Sequence, residues 1–244
     1  SYRPVRDWHD VPVQDLLEDR FSVPVFLEQN SNTMALGEAT TGDAQGHDSV
    51  VLVLVRTGVS IGVVQHGEII AHSPWGTGEL GHTIVNHNGP KCWCGSRGCL
   101  ECYASGWALR KRLRREQKQY PDWAGNAALG ARAEEFDPAM ICTMARNGDS
   151  RARDLLSEMF RYLGMGINTV VRLLAPDAVI IHGSFNGAGT ILSECIMKTF
   201  RRPHHHPLRI PELIVSTQDD TIGAAGAALM AAARFCNPLH RMPK

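Results

Sequence analysis

The residues best equipped for chemistry lie between Gly78 and Cys102, in the stretch GELGHTIVNHNGPKCWCGSRGCLEC. His82 precedes Cys92, Cys94 and Cys99, with Cys102 just beyond. Zinc takes four tetrahedral ligands from thiolate sulfur and imidazole nitrogen. His82, Cys92, Cys94 and Cys99 supply such a set. Only Trp93 separates the first two cysteines, which is tighter than a finger knuckle, and Gly95 and Gly98 allow the loop to fold back sharply. Four protein ligands leave no open position for water, so the spacing favours a structural metal over a catalytic one. Cys102 is a fifth candidate ligand.

The same stretch carries Glu79 and Glu101. Glu79 and His82 are three residues apart, so one helical turn places them on one face. Glu101 lies two residues past Cys99, so a metal there would anchor it. Imidazole has two ring nitrogens, and one can bind a metal while the other faces a ligand. Carboxylates and a histidine converging beside glycine-rich backbone suit a hydroxyl-rich ligand, because carboxylates accept hydrogen bonds from sugar hydroxyls. The plain alternative is that both glutamates are surface charge.

The elements that must hold these groups alternate between strand and helix, which makes the class α/β. Residues 11–21 read as a short amphipathic helix, VPVFLEQ as a buried strand, and NSNTMALGEA as a helix capped by Asn30 or Ser31. SVVLVLVRTGVSIGVVQHGEII is the strongest strand signal, with two apolar runs flanking RTGVSIG and a hairpin turn at QHGE. Residues 73–89 read as mostly loop, and YASGWALRKRLRREQKQ as one helix. Apolar residues from Leu155 to Leu174 recur at helical spacing until Pro176 stops them. DAVIIHGS and ELIVST read as strands, with a helix over 189–200 between them. TIGAAGAALMAAARF reads as a closing helix.

The 244 residues are 43% hydrophobic, enough for one large domain or two modest ones. The formal charge is +0, so nothing draws the whole chain to nucleic acid or to an anionic membrane. No apolar run spans a bilayer, and nothing at the start reads as a signal peptide. Seven cysteines, four of them clustered, fit a cytoplasmic protein with one metal site better than a disulfide scaffold. Cys142, Cys195 and Cys236 read as buried core thiols. RKRLRREQK reads as a solvated helix face rather than a nucleic-acid patch. PHHHP reads as a loop rather than a metal site.

Through GELGH and CWCGSRGCLE the sequence resembles the ROK family, which contains bacterial sugar kinases and sugar-responsive repressors. EQNSNTMALGE, RTGVSIGVV, LGMGINTVVRLLAPDAVIIHGS and TIGAAGAALMA resemble, in the same order, the family's sugar and catalytic segment, second phosphate loop, adenosine-side helix and strand, and C-terminal helix. The resemblance implies a two-lobed actin/hexokinase (ribonuclease-H-like) fold. It assigns 1–42 to the end of the small lobe and the interlobe segment, 43–224 to the large sugar- and zinc-binding lobe, and 225–244 to a C-terminal helix and tail. It implies a structural zinc on His82, Cys92, Cys94 and Cys99. It also implies sugar contacts from Glu79, His82 and Glu101, completed by Gln29 and Asn30.

The departures from the family pattern bear on class. The kinases carry Asn-Asp where this chain has Gln29-Asn30, and that Asp deprotonates the attacking hydroxyl. An amide cannot take the proton at neutral pH, so Asn30 is a degenerate base position and no catalytic residue is assigned. Arg56 replaces the first glycine of the second phosphate loop, Ser60 and Ile61 replace further glycines, and His182 stands where the adenosine strand turns through glycine. The Asp-x-Gly-x-Thr phosphate loop has no counterpart, so the chain is expected to start partway through the small lobe. The implied function is the effector domain of a ROK transcriptional regulator of carbohydrate metabolism. It would bind a sugar or sugar phosphate, assemble as a homodimer or tetramer, and reach DNA only through an upstream domain. The alternative is an ATP-dependent hexose or amino-sugar kinase.

Overall fold

The computed structural model describes residues 11–70, 77–130, 135–200 and 209–236. The elements in chain order are α1 (Val13–Phe21), α2 (Asn30–Thr40), β1 (Ser49–Val55), β2 (Val59–Gln65), β3 (Glu68–Ile69), α3 (Glu101–Ala104), α4 (Gly106–Gln119), α5 (Pro138–Arg146), α6 (Ser150–Leu174), β4 (Ala178–Gly183), α7 (Thr190–Phe200), β5 (Glu212–Val215) and α8 (Thr221–Cys236). The strands form one mixed sheet in the order β3-β2-β1-β4-β5. β1 pairs antiparallel with β2 and parallel with β4.

β1 explains the layering. SVVLVLV lacks polar alternation because both of its faces are covered. Val51, Val53 and Val55 join a core with Leu109 and Leu113 of α4, Ile141 of α5, Leu156 and Leu163 of α6, and Leu192 and Ile196 of α7. Val50, Leu52 and Leu54 face the other way, onto Met34 and Ala35 of α2 and Ile222 and Met230 of α8. Each fully buried side chain of this size, such as Leu52 or Phe160, contributes about 1.5–3 kcal/mol. α2 and α8 cross at backbone contact. A Cβ on Gly226 would lie 1.7 Å from the Thr33 carbonyl oxygen, and one on Gly37 would lie 2.2 Å from that of Ile222.

The hairpin at QHGE forms with His66 and Gly67 both at positive φ (51° and 79°), the turn that matches the twist of the strands. The long helix is α6, capped by Asp149, whose side chain accepts from Ala152 N. It ends at left-handed Ala175, immediately before Pro176.

Four readings change. VPVFLEQ is not a buried strand: residues 23–29 are irregular, with Val23, Phe26 and Leu27 exposed. Apolar side chains make a strand only where an edge receives them, and Pro24 offers no N–H. α2 starts at Asn30, and its preceding residue, Gln29, makes no side-chain cap; Glu28 Oε1 instead accepts from Gln29 N and Asn32 Nδ2, both at 2.9 Å. The helix expected over residues 103–119 breaks at Ser105, which is extended (φ −121°, ψ 165°) and caps α4 by accepting from Ala108 N. Cys142 is buried as expected, but Cys195 is half-buried and Cys236 exposed. The PHHHP segment lies outside the described residues. On α4, Arg112 pairs with Glu158 at 2.6 Å, and Glu116 pairs with Arg151 at 2.9 Å, in keeping with a solvated helix face.

Candidate metal centre and ligand site

The segment from Gly78 to Cys102 folds back on itself and is zipped by backbone bonds. Leu100 N donates to Thr83 O, Val85 N to Gly98 O, Gly98 N to Pro90 O and Cys92 N to Ser96 O, all within 2.8–2.9 Å. Gly98 sits at φ 68°, and a Cβ there would lie 1.6 Å from Asn86 O, so the fold-back requires glycine.

The zipper brings His82, Cys92, Cys94 and Cys99 together. One ligand atom from each lies within 4.8 Å of all the others. His82 Nδ1 is 3.6 Å from Cys92 Sγ, and Cys94 Sγ is 3.7 Å from Cys99 Sγ. With metal–ligand distances of roughly 2.3 Å for sulfur and 2.0–2.1 Å for nitrogen, a tetrahedron needs edges of about 3.6–3.8 Å. The donor set therefore fits, and the four residues can hold a metal ion. Burial and the two neighbouring thiols push Cys99 up to about 12, while a bond from the Ser96 N–H holds the Cys94 thiol below its ordinary value. Thiols this close cannot all ionise alone, and a divalent cation removes that penalty. Cys102 is pushed up to about 12 by burial and Cys92. It lies outside the four-residue group.

The two glutamates differ. Glu79 is at the start of a short 3-10 turn, Leu80–His82, with its side chain 60% exposed and Oε2 3.7 Å from His82 Nε2. The imidazole thus turns Nδ1 to the Cys92 thiol and Nε2 to the Glu79 carboxylate. Glu101 is only 7% exposed, so it is not surface charge. Its Oε2 accepts from Val59 N at 3.1 Å and its Oε1 from Trp93 Nε1. Trp93 has no role in the sequence analysis; its position between two candidate ligand cysteines is the signal that points to it.

Gln29 faces the backbone of Thr77. With its amide oriented to suit, Nε2 donates to Thr77 O at 2.8 Å and Oε1 accepts from Thr77 N at 3.3 Å. That pairing ties the start of α2 to the residue before Gly78. Asn30 is exposed in the first turn of α2.

A second concave region lies past the C-terminal ends of β1 and β4. It is a cavity of about 590 Å³ lined by Arg56, His182, Ser184, Asn186 and Asp220, among others. Arg56 Nη2 reaches Asp220 across its mouth. Behind it a polar chain runs from exposed Asp220 inward to buried Glu38, through residues far apart in the sequence. His182 Nε2 is 3.5 Å from Asp220, Nδ1 is 3.1 Å from Ser216 Oγ, and Ser216 Oγ donates to the fully buried Glu38.

The profile of the ROK family matches residues 2–234. The chain belongs to the ROK family. Its fold is the α/β, actin/hexokinase-like architecture of ROK glucokinases and ROK regulators. It is 38% identical over 186 residues to a glucokinase of Thermotoga maritima, covering 76% of this chain and 58% of that protein. It is 32% identical over 185 residues to the xylose repressor of Bacillus subtilis, covering 75% and 44%. A ROK family glucokinase from Streptomyces griseus, solved in complex with glucose and AMPPNP, superposes with a TM-score of 0.78 at 31% identity, over 93% of this chain and 74% of that one. The chain therefore spans about half the length of the two sequence relatives it matches. ROK kinases and ROK regulators are both its relatives. No described helix is long and apolar enough to cross a membrane.

Proposed function

We propose that this ROK chain is the sugar-binding part of a transcriptional regulator, held by a structural zinc and without kinase activity. The observation that carries the reading is Asn30. It stands in the first turn of α2, at the position of the kinase base, and its amide can donate to and accept from a sugar hydroxyl without removing the proton. Arg56 supports it, because its guanidinium pairs with Asp220 at the cavity where a phosphate loop would need bare backbone. The ligand is a sugar or sugar phosphate, met by Glu79, His82 Nε2 and Glu101, with Gln29 and Asn30 completing the pocket. Zinc on His82, Cys92, Cys94 and Cys99 fixes the loop that carries Glu101. DNA contact belongs to an upstream domain, the assembly is a homodimer or tetramer, and the protein acts in the cytoplasm.

A second reading is an ATP-dependent sugar kinase. Its support is the 38% identity to the Thermotoga maritima glucokinase and the persistence of a cavity at the ends of β1 and β4. Calorimetric titration of the full-length protein with glucose, xylose and N-acetylglucosamine, with and without ATP, separates the two. Heat with a sugar and none with ATP is expected. ATP binding followed by sugar-dependent ADP release would replace the regulator with the kinase.

A further inference from the structure

Glu101 is 7% exposed although the proposed function has it touching a ligand. Something must move before a hydroxyl reaches it. One carboxylate oxygen is committed to the sheet through Val59 N, and that bond fixes where the side chain sits. The other is covered by the indole of Trp93, which donates its Nε1–H to Oε1. The same indole stands edge-on to His82, with centroids 4.7 Å apart and planes at 82°. Trp93 thus lies over both groups that face the proposed ligand. Its outer part is in solvent, at 48% exposure. A half-exposed ring can swing outward by rotation about its own side-chain bonds while Cys92 and Cys94 stay in place.

The geometry points to Trp93 as a plug: its indole N–H holds the Glu101 oxygen that a sugar hydroxyl must take, so the ligand binds only by displacing it. This rests on the sugar-site reading above. An N–H on a carboxylate is a charge-assisted bond, and a state that must break it before binding loses apparent affinity by the fraction of open molecules. The plug also selects. A ligand that offers Glu101 no hydroxyl donor recovers nothing for the bond it breaks, so deoxy analogues are rejected more strongly than the lost contact alone requires.

The test uses the metal-loaded chain and two kinds of variant. In the ligand-free protein, the Trp93 indole N–H resonance is identified by its loss in Trp93→Phe, and Glu101→Gln is expected to move it. A resonance that stays put would mean the pair does not exist in solution, which overturns the plug. Glucose and xylose are then titrated into wild type and Trp93→Phe, with metal content confirming an intact loop and Trp93→Ala as a second variant. Trp93→Phe is expected to bind about tenfold tighter, and that advantage should shrink to about twofold or less in a Glu101→Gln background. If wild type binds sugar but Trp93→Phe binds equally or more weakly, the plug fails and the sugar site stands. If neither sugar binds wild type nor either Trp93 variant, the sugar-site reading falls and takes the plug with it.

Discussion

The backbone N–H of Val59 donates to Glu101 Oε2 across 3.1 Å, joining the metal loop to the first residue of β2. The loop is therefore fastened at one end by its thiols and at the other by a strand, with Glu101 as the joint. Its carboxylate is positioned by the sheet and its backbone by the folded cysteine loop.

Removal of each fastening has a different signature. Cys94→Ser should lose bound zinc, because three ligands remain of four, and sugar affinity should fall with it. Glu101→Gln should keep zinc at full occupancy. On a Trp93→Phe background, where no indole competes, Glu101→Gln should weaken sugar binding by about 1–2 kcal/mol as a charge-assisted bond becomes neutral. Metal analysis and calorimetry on these variants check both; zinc lost from Glu101→Gln would contradict the ligand set.

On the proposed reading, a carboxylate at position 30 should not create a kinase. A general base contributes about 10²–10⁴-fold in rate, yet in Asn30→Asp the Arg56–Asp220 pair still stands at the cavity mouth. Sugar-dependent ADP formation by Asn30→Asp is expected to stay at background in a coupled assay. Turnover on the order of 1 s⁻¹, in the range of working enzymes, would show that the nucleotide side is intact.

Asp149 gives α6 a pH-dependent start. Burial pushes its carboxyl up, but the Ala152 N–H and the Trp123 indole outweigh this and hold it below its ordinary value of 3.8. A depressed carboxylate stabilises the fold above the unfolded value and loses that contribution as pH falls through the folded one. Acid unfolding of wild type should therefore steepen below about pH 4. Asp149→Asn, which still caps, should flatten that limb. Asp149→Ala should cost about 1 kcal/mol at neutral pH. Chemical denaturation across pH reads all three.

Thiol reactivity should follow burial. Cys142 lies on the buried face of α5, in the core, and burial pushes its thiol up to about 12. Cys236 is exposed. Brief treatment of the folded, metal-loaded protein with iodoacetamide at pH 8 should alkylate Cys236 and leave Cys142 intact, as mass spectrometry of peptides would show. Early modification of Cys142 would mean that α5 opens readily.

What could be read in advance divides by range. α6 announces itself because eleven buried positions repeat along one continuous helix, and β1 because six consecutive apolar residues, Val50–Val55, require two covered faces. The metal set is legible because its ligands are close in the chain and chemically distinctive. Residues 23–29 mislead because a strand is completed by its neighbour, which local composition does not contain. The break at Ser105 is a contest between one hydroxyl and a run of helix formers. The Glu38–Ser216–His182–Asp220 chain joins three segments, and the burial of Glu101 under Trp93 depends on a loop path, so neither has a local signature.

The parallel pairing of β1 with β4 has a consequence for how the protein is made. Ser49 N reaches Asp177 Oδ2, 128 residues away in sequence, and the whole metal loop lies inside that span. On the ribosome, Val50–Val55 must wait for β4 with one flank open. Loop closure of this length is slow, and an unpaired apolar strand is a site for misassociation. The cysteine segment needs no such wait, since its partners lie within a few tens of residues. The candidate metal loop can therefore close as an early local unit, while β1 stays open to misassociation until β4 is made.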